Sequence, residues 1–236
     1  SCTYQPRPSK DGPLHWIRQE FMEHQYYRVT NSSGIVESWR FFWAPINIRL
    51  ETGDHLEFNW VPSYEYLPEP FKIASGVTLP VGGYRFDRFR LEYFSSSHRP
   101  WEFGTTTWFG TFYNGRLLQQ NNYLRYTSPG GKWQTGVTVN QNFGTLDQGK
   151  FVQRLWQLNL AYSFSPNLVF TSFLQYDNES QNIGNNMRLR WTIKPGNDLF
   201  LVWNRGWKRQ ILTRDDLSIV PDSELLAVKL RWTFRK

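Results

Sequence analysis

Cysteine is almost missing from this chain. Cys2 is the only one, so no internal disulfide can form and the redox compartment leaves no mark. Long hydrophobic runs are missing as well. Mean hydropathy is −0.58, and no apolar stretch approaches the roughly 18 residues of a membrane-crossing helix. A helical membrane protein is thereby excluded, but a barrel is not, because only alternate residues of a barrel strand meet lipid. Histidine is scarce, the whole set being His15, His24, His55 and His98. No His/Cys spacing fits a metal site. Gly34 in NSSG and Gly82-Gly83 in VGG are loop glycines rather than phosphate cradles. No helical repeat, low-complexity segment or linker interrupts the chain, so residues 1–236 are expected to form a single domain. No signal peptide is present. An outer-membrane protein needs one, so the expectation is a mature form or a fragment, its Ser-Cys start being arbitrary rather than a lipoprotein processing scar.

Aromatic residues are what the chain has in plenty: Trp 12, Tyr 12 and Phe 18. Together with β-branched residues they recur in runs of about 8–16 between turn signals, the pattern of an all-β protein. About twelve strands are expected, at 14–31, 34–50, 55–67, 83–95, 101–113, 116–127, 133–143, 151–164, 168–178, 186–194, 198–206 and 223–235. Residues 1–5 look like the end of another, before the PRPSKDGP turn.

The most regular stretch is the last, ELLAVKLRWTFR at 224–235. Leu226, Val228, Leu230, Trp232 and Phe234 fall on one side; Lys229, Arg231, Thr233 and Arg235 fall on the other, after Leu225 and Ala227. A strand of this length crosses a tilted bilayer. The same alternation sets Met187, Leu189, Trp191 and Ile193 against Arg188, Arg190 and Thr192. It also sets Trp156, Leu158, Leu160, Tyr162 and Phe164 against Gln153, Gln157, Asn159 and Ser163. Lipid-facing residues are accordingly expected at Leu158, Leu160, Leu189, Trp191, Val228, Leu230, Trp232 and Phe234. Pore-lining residues are expected at Arg49, Arg88, Arg90, Arg188, Arg190, Lys229 and Arg231. Two strands break the pattern. In 34–50, Phe42, Ala44, Ile46, Ile48 and Leu50 point outward, yet Trp39, Phe41, Trp43 and Pro45 load the other face. In 83–95 the alternation slips between Phe86 and Phe89, as at a bulge or where a strand leaves the membrane.

Connections sort by length. ETGD (51–54), SSHRP (96–100), SPGGK (128–132), SPN (165–167) and KPGN (194–197) are tight turns. On the other side 68–82, 144–150, 179–185 and 207–222 read as longer loops, with short exceptions at 31–34 and 114–115. Such asymmetry is that of bacterial outer-membrane barrels, tight turns facing the periplasm. Trp101, Tyr126, Trp133, Phe164, Trp191, Trp232 and Phe234 would form one aromatic girdle, and Tyr64, Tyr66, Tyr84, Tyr113, Tyr176 and Trp207 the other.

Three stretches carry a resemblance: PVGGYRFDRFRLEYFSSS (80–97), FLQYDNES (173–180) and NNMRLRWTIKPGNDLFLVWNRGW (185–207). Together they resemble the C-terminal barrel of the family numbered 5916 among domains of unknown function. Its members are similar in placing a family-9-like carbohydrate-binding module ahead of an outer-membrane β-barrel. The resemblance runs through most of 6–236 and implies an envelope location, a larger parent chain with further strands, and a glycan link by association alone. It carries over no catalytic residue.

The expectation is thus an antiparallel up-and-down transmembrane β-barrel of the bacterial outer membrane, or the C-terminal part of a larger one. It would act as a pore or scaffold in glycan or anionic or amphipathic solute handling. Its partners would be outer-membrane lipid and lipopolysaccharide, with earlier strands of the same parent chain or another envelope protein. No nucleic acid, cofactor or catalysis is expected. The +7 net charge fits an anionic surface, or ordinary solubility. Glu57, Asp87, Glu92 and Glu102 are candidates to pair with the arginines as a structural ladder. Two rivals stand beside this reading. One is a soluble aromatic-rich β-sheet module that binds carbohydrate. The other is a barrel-embedded hydrolase, disfavoured because His15, His55 and His98 fall near the tight-turn end and His24, near Glu20 and Glu23, has no nucleophile beside it. Asp215-Asp216 in the last loop lack the ligand spacing of a calcium motif.

Overall fold

Backbone pairing, rather than side-chain polarity, decides where these strands end. The computed structural model describes residues 1–213 and 216–234, without the side chains of 210–217. Asp215, the side chain of Asp216, and Arg235 therefore lie outside the described residues. The strands are β1 (Cys2–Tyr4), β2 (Ile17–Glu20), β3 (Met22–Thr30), β4 (Val36–Leu50), β5 (His55–Leu67), β6 (Phe71–Ala74), β7 (Val77–Leu79) and β8 (Gly82–Phe94). They continue with β9 (Trp101–Phe112), β10 (Gly115–Thr127), β11 (Trp133–Leu146), β12 (Gly149–Ser165), β13 (Leu168–Asp177), β14 (Asn182–Lys194), β15 (Asn197–Thr213) and β16 (Asp216–Arg231). Fourteen of them form one antiparallel up-and-down sheet, in the order β1-β3-β4-β5-β8-β9-β10-β11-β12-β13-β14-β15-β16 with β2 beside β4; β6 and β7 make a separate hairpin.

Two compact units divide the chain. One comprises residues 1–122 and 140–152, the other 123–139 and 153–236.

Several expectations give way here. Among the described residues the sheet is not closed, and β16 has one strand partner there, β15. More strands are present than the expected twelve. The stretch at 14–31 splits at Phe21 into β2 and β3, both paired with β4. The expected loop asymmetry also largely dissolves. β11 and β12 are joined through Asp147 and Gln148 alone, and β13 and β14 through Asn178–Gln181. β15 runs to Thr213 and β16 starts at Asp216, inside the expected loop 207–222. Polar residues without alternation read as loop, but a ladder propagates through N–H and C=O groups whatever the side chains are. Among the described residues of the expected longer loops, 68–81 alone stays long, and it contains the β6–β7 hairpin.

In the first unit β5 and β8 pair without a break from His55↔Phe94 to Leu67↔Gly82. No bulge lies between Phe86 and Phe89. The slip is the place where the chemistry of the two faces changes over, with Asp87 and Arg85 following Phe89 on one face and Phe86 and Tyr84 following Arg88 on the other. In β4, by contrast, the register shifts between Trp43 and Ile46. That bulge puts Trp43 on the same face as Ile46 and Ile48, opposite Trp60, Phe58 and Leu56. Trp39 and Phe41 share that face with Trp43 by the two-residue period. Phe42 and Ala44, expected to point outward with Ile46, go to the opposite face. One extra residue removes the conflict.

The hairpin packs at the end of this unit away from the tight turns. Val77, Leu79 and Ala74 join Leu67, Leu117, Leu146 and Phe151 in one buried cluster, with Tyr84, Phe112 and Tyr113 against it. Leu67 closes β5 and Phe151 lies near the start of β12, several strands further along the order. The sheet of this unit therefore curls round the hairpin.

Candidate functional site: the polar face

The two faces of the sheet differ in kind, and in the first unit charged and amide side chains of one face are buried while large apolar ones of the other are exposed. On one face Glu57, Asn59, Arg88 and Glu92 are 6%, 0%, 5% and 8% exposed; on the other Leu91 is 44% exposed. Trp43, Trp60, Phe89 and Phe109 form a row across four strands on that apolar face. Trp43 meets Trp60 edge-on at 6.4 Å between centroids, and Phe89 stacks on Phe109 at 5.5 Å.

The buried polar face of β5 and β8 holds a closed network. Glu57 and Glu92 are direct cross-strand partners, as are Asn59 and Arg90. The Arg90 guanidinium reaches Glu57 Oε1 and, at 3.5 Å, Glu92 Oε2. It also donates to Asn59 Oδ1, whose own Nδ2 donates to Glu57 Oε1 at 2.8 Å. Thr106 Oγ1 donates to Glu92 at 3.1 Å. His55 completes the group, with Nε2 3.4 Å from Glu57 and 2.9 Å from Asn47 Oδ1, and Nδ1 3.8 Å from Glu92. Sequence reasoning offered Glu57 and Glu92 as partners of the arginines but placed His55 only near the tight-turn end and did not join it to them. The His55-x-Glu57 spacing on one strand face was the only local sign of the cluster.

His55, Glu57 and Glu92 bring three metal-type ligand atoms within 4.8 Å of one another. The geometry argues against an ion between them. A cation there would compete with Arg90, whose guanidinium already supplies positive charge to both glutamates. The arrangement is a charge ladder across strands.

Each expected basic residue falls on the polar face, but in two different settings. Arg88 and Arg90 pair with Val61 and Asn59 on the buried side, and Arg49 pairs with His55 but is itself exposed. Arg88 donates to Leu117 O and to Gln119 Oε1 at 3.0 Å. Both Arg88 and Arg90 are thus committed to the wall itself. In the second unit Arg188, Arg190, Lys229 and Arg231 lie on one exposed face. Across it Arg190 pairs with Phe200 and Phe200 with Lys229, while Arg188 pairs with Val202 and Val202 with Ala227. Among the described residues these four basic side chains make no ion pair. Phe200 and Val202 supply the apolar strip between them.

The opposite face of this unit carries Leu189, Leu201 and Val228 in one row and Trp191, Leu199 and Leu230 in the next. Leu160 aligns there through Ser172 and Met187, and Leu158 through Leu174. Val228 and Leu230 are 68% and 59% exposed. Trp232 and Phe234 follow the end of β16, both exposed. Of the expected girdles, Trp133 and Phe164 both pack on Tyr162 near the tight turns. Tyr84 and Tyr113 depart from theirs. Tyr84 meets Tyr113 edge-on and Tyr113 turns onto Phe86 and Phe112, with Tyr113 Oη donating to Glu65 at 2.8 Å and Tyr84 Oη to Pro80 O at 2.7 Å. Asp87 likewise leaves the proposed ladder, since it sits on the other face and accepts from Trp60 Nε1 at 3.0 Å.

A clamp joins two tight turns of the first unit. Asp54 accepts from Arg99 at 2.8 and 3.1 Å, from the Ser96 N–H at 2.7 Å and from Thr52 Oγ1 at 2.9 Å. The Arg99 hydrogen bonds, with those from Ser96 and Thr52, outweigh the opposing effect of burial and hold the Asp54 carboxyl below its ordinary range. Gly53 is required beside it. Its φ is +85°, and a Cβ there would lie 2.6 Å from Ser96 Oγ.

No known protein family, curated protein or solved structure matches the chain.

Proposed function

We propose that this chain forms wall strands of an outer-membrane β-barrel, a pore or scaffold whose polar face meets solute and whose apolar face meets lipid. The observation that carries the reading is the inverted burial of the first unit. A soluble sheet buries leucine and exposes arginine and glutamate. Here Arg88, Glu57 and Glu92 are buried while Leu91, Phe109 and Trp43 are exposed. The exposed rows of Trp, Phe, Leu and Val would be an aggregation hazard in water, but are what hydrocarbon requires. The aromatic cluster at Trp133, Tyr162 and Phe164, beside the tight turns, suits the headgroup level.

Closure follows from the same physics. A strand edge in hydrocarbon leaves backbone groups without water, so β16 gains a second partner in the membrane, from this chain or from further strands. The basic row of the second unit, interrupted by Phe200 and Val202, suits anionic or amphipathic solutes. The β6–β7 hairpin, packed against the polar face, narrows the passage.

The test is extraction and gel mobility. The folded protein should sediment with outer membranes, need detergent to leave them, and migrate faster unheated than boiled. A folded monomer recovered from a detergent-free soluble extract would overturn the reading.

A further inference from the structure

The second unit has a feature that neither the barrel reading nor its basic row uses. Four cross-strand rows can be followed over the polar face of β12 to β16. One reads Gln157, Gln175, Gly184, Gly206 and Ser223. Beyond Gln175 this row has almost no side chain, so it forms a trough whose floor is backbone. A Cβ on Gly184 would meet nothing within 4 Å. On one side stand Phe173, Asn186 and Asn204, which are successive partners in the next row. On the other stand Asp177, Asn182 and Lys208. The trough encloses about 480 Å³ and meets a second groove of about 530 Å³ at Phe173 and Asn186. These volumes are in the range of small-molecule sites.

The chemistry of the walls selects the ligand. Asn186 Nδ2 donates to Asn204 Oδ1, which leaves an acceptor on Asn186 and a donor on Asn204. Gln157 Nε2 donates to Gln175 Oε1 at 3.2 Å and leaves the same complementary pair one row away. Two amide couples, each offering one donor and one acceptor, match hydroxyl groups, which both give and take hydrogen bonds. Phe173 stands between Asn159 and Asn186 and presents a ring for an apolar C–H face. Formal charge at the trough cancels, Lys208 and Arg205 standing against Asp177 and Asp222, with Lys208 3.2 Å from Asp222. A polyanion would favour the Arg188 and Arg190 rows instead.

The geometry points to a binding site for a neutral oligosaccharide, one sugar ring lying on the Gly184–Gly206 floor against Phe173 with its hydroxyls on the two amide couples. The inference rests on the solute-handling reading in one respect, that the polar face is the one solutes meet.

The experiment is calorimetric titration of the folded full chain, in a detergent without a sugar headgroup, with maltohexaose, cellohexaose and xylohexaose. At least one should bind the wild type, and Phe173→Ala and Gly184→Val should each weaken it about tenfold or more. Gly184 lies within a strand and has open space at its Cβ position, so valine fits the backbone and fills only the trough. Phe173→Ala provides the second arm should that variant misfold. Ser172→Ala, on the opposite face, should leave binding unchanged. Absence of binding by the wild type, or binding that survives both trough variants, overturns the proposal. So does binding that requires Arg188 and is blocked by a sulfated oligosaccharide. Heat-dependent gel mobility is read in parallel; its absence would sink the membrane reading while leaving a sugar titration intact, so the two failures are distinguishable.

Discussion

Glu57 and Glu92 face each other directly across β5 and β8 on a buried surface, and Arg90 touches both. Two carboxylates so placed repel, and the guanidinium between them, with Asn59 and Thr106 donating to one glutamate each, makes the pair tolerable. Arg90→Gln should therefore destabilise the fold by about 3–5 kcal/mol, the scale for breaking a buried ion pair. Adding Glu57→Gln should recover much of that loss. Denaturant unfolding of the single and double variants in lipid vesicles measures both. Equal stability of Arg90→Gln and wild type would show that the ladder is idle.

On the apolar face, Leu230→Arg should cost about 2–4 kcal/mol if the residue lies near the bilayer midplane. Its neighbour Lys229, on the polar face, should accept glutamine with little change. Reversible unfolding into and out of vesicles compares the two. Similar costs at both positions would remove the assignment of the faces.

The Asp54–Arg99 clamp lies in turns and has a pH signature. The folded carboxyl titrates below the ordinary aspartate value of 3.8. Its contribution to stability is complete above that value, and is lost as pH falls below it through the folded one. Asp54→Asn should thus be less stable than wild type at neutral pH, with the gap closing in the acid limb. A gap that stays constant down to the acid transition would contradict the clamp.

Conductance tests the hairpin and the basic row together. In planar bilayers the wild type should show low or gated current with preference for anions. The triple variant Arg188→Gln/Arg190→Gln/Arg231→Gln should lose the preference. Replacing residues 71–79 by a short glycine-serine linker should raise the current. A large cation-selective current in the wild type, or anion preference unaltered in the triple variant, would free these arginines of any selective role.

The sequence by itself determined which residues share a face wherever the two-residue period was clean. Leu189, Trp191, Val228 and Leu230 against Arg188, Arg190, Lys229 and Arg231 followed from alternation alone, because a strand leaves no other arrangement. The tight turns at 51–54 and 128–132 were legible for a similar reason, since glycine and proline act locally. Tertiary structure decided the rest. The bulge between Trp43 and Ile46 depends on how β4 meets β5, and one residue of slip reverses every side chain beyond it. The cluster of His55, Glu57, Arg90 and Glu92 depends on register between strands separated by the β6–β7 hairpin, and the Gly184–Gly206 floor on the register in which β14 meets β15. Strand ends and the β6–β7 hairpin were hidden because backbone pairing and burial against Leu67, Leu117 and Phe151 arise only once distant segments meet.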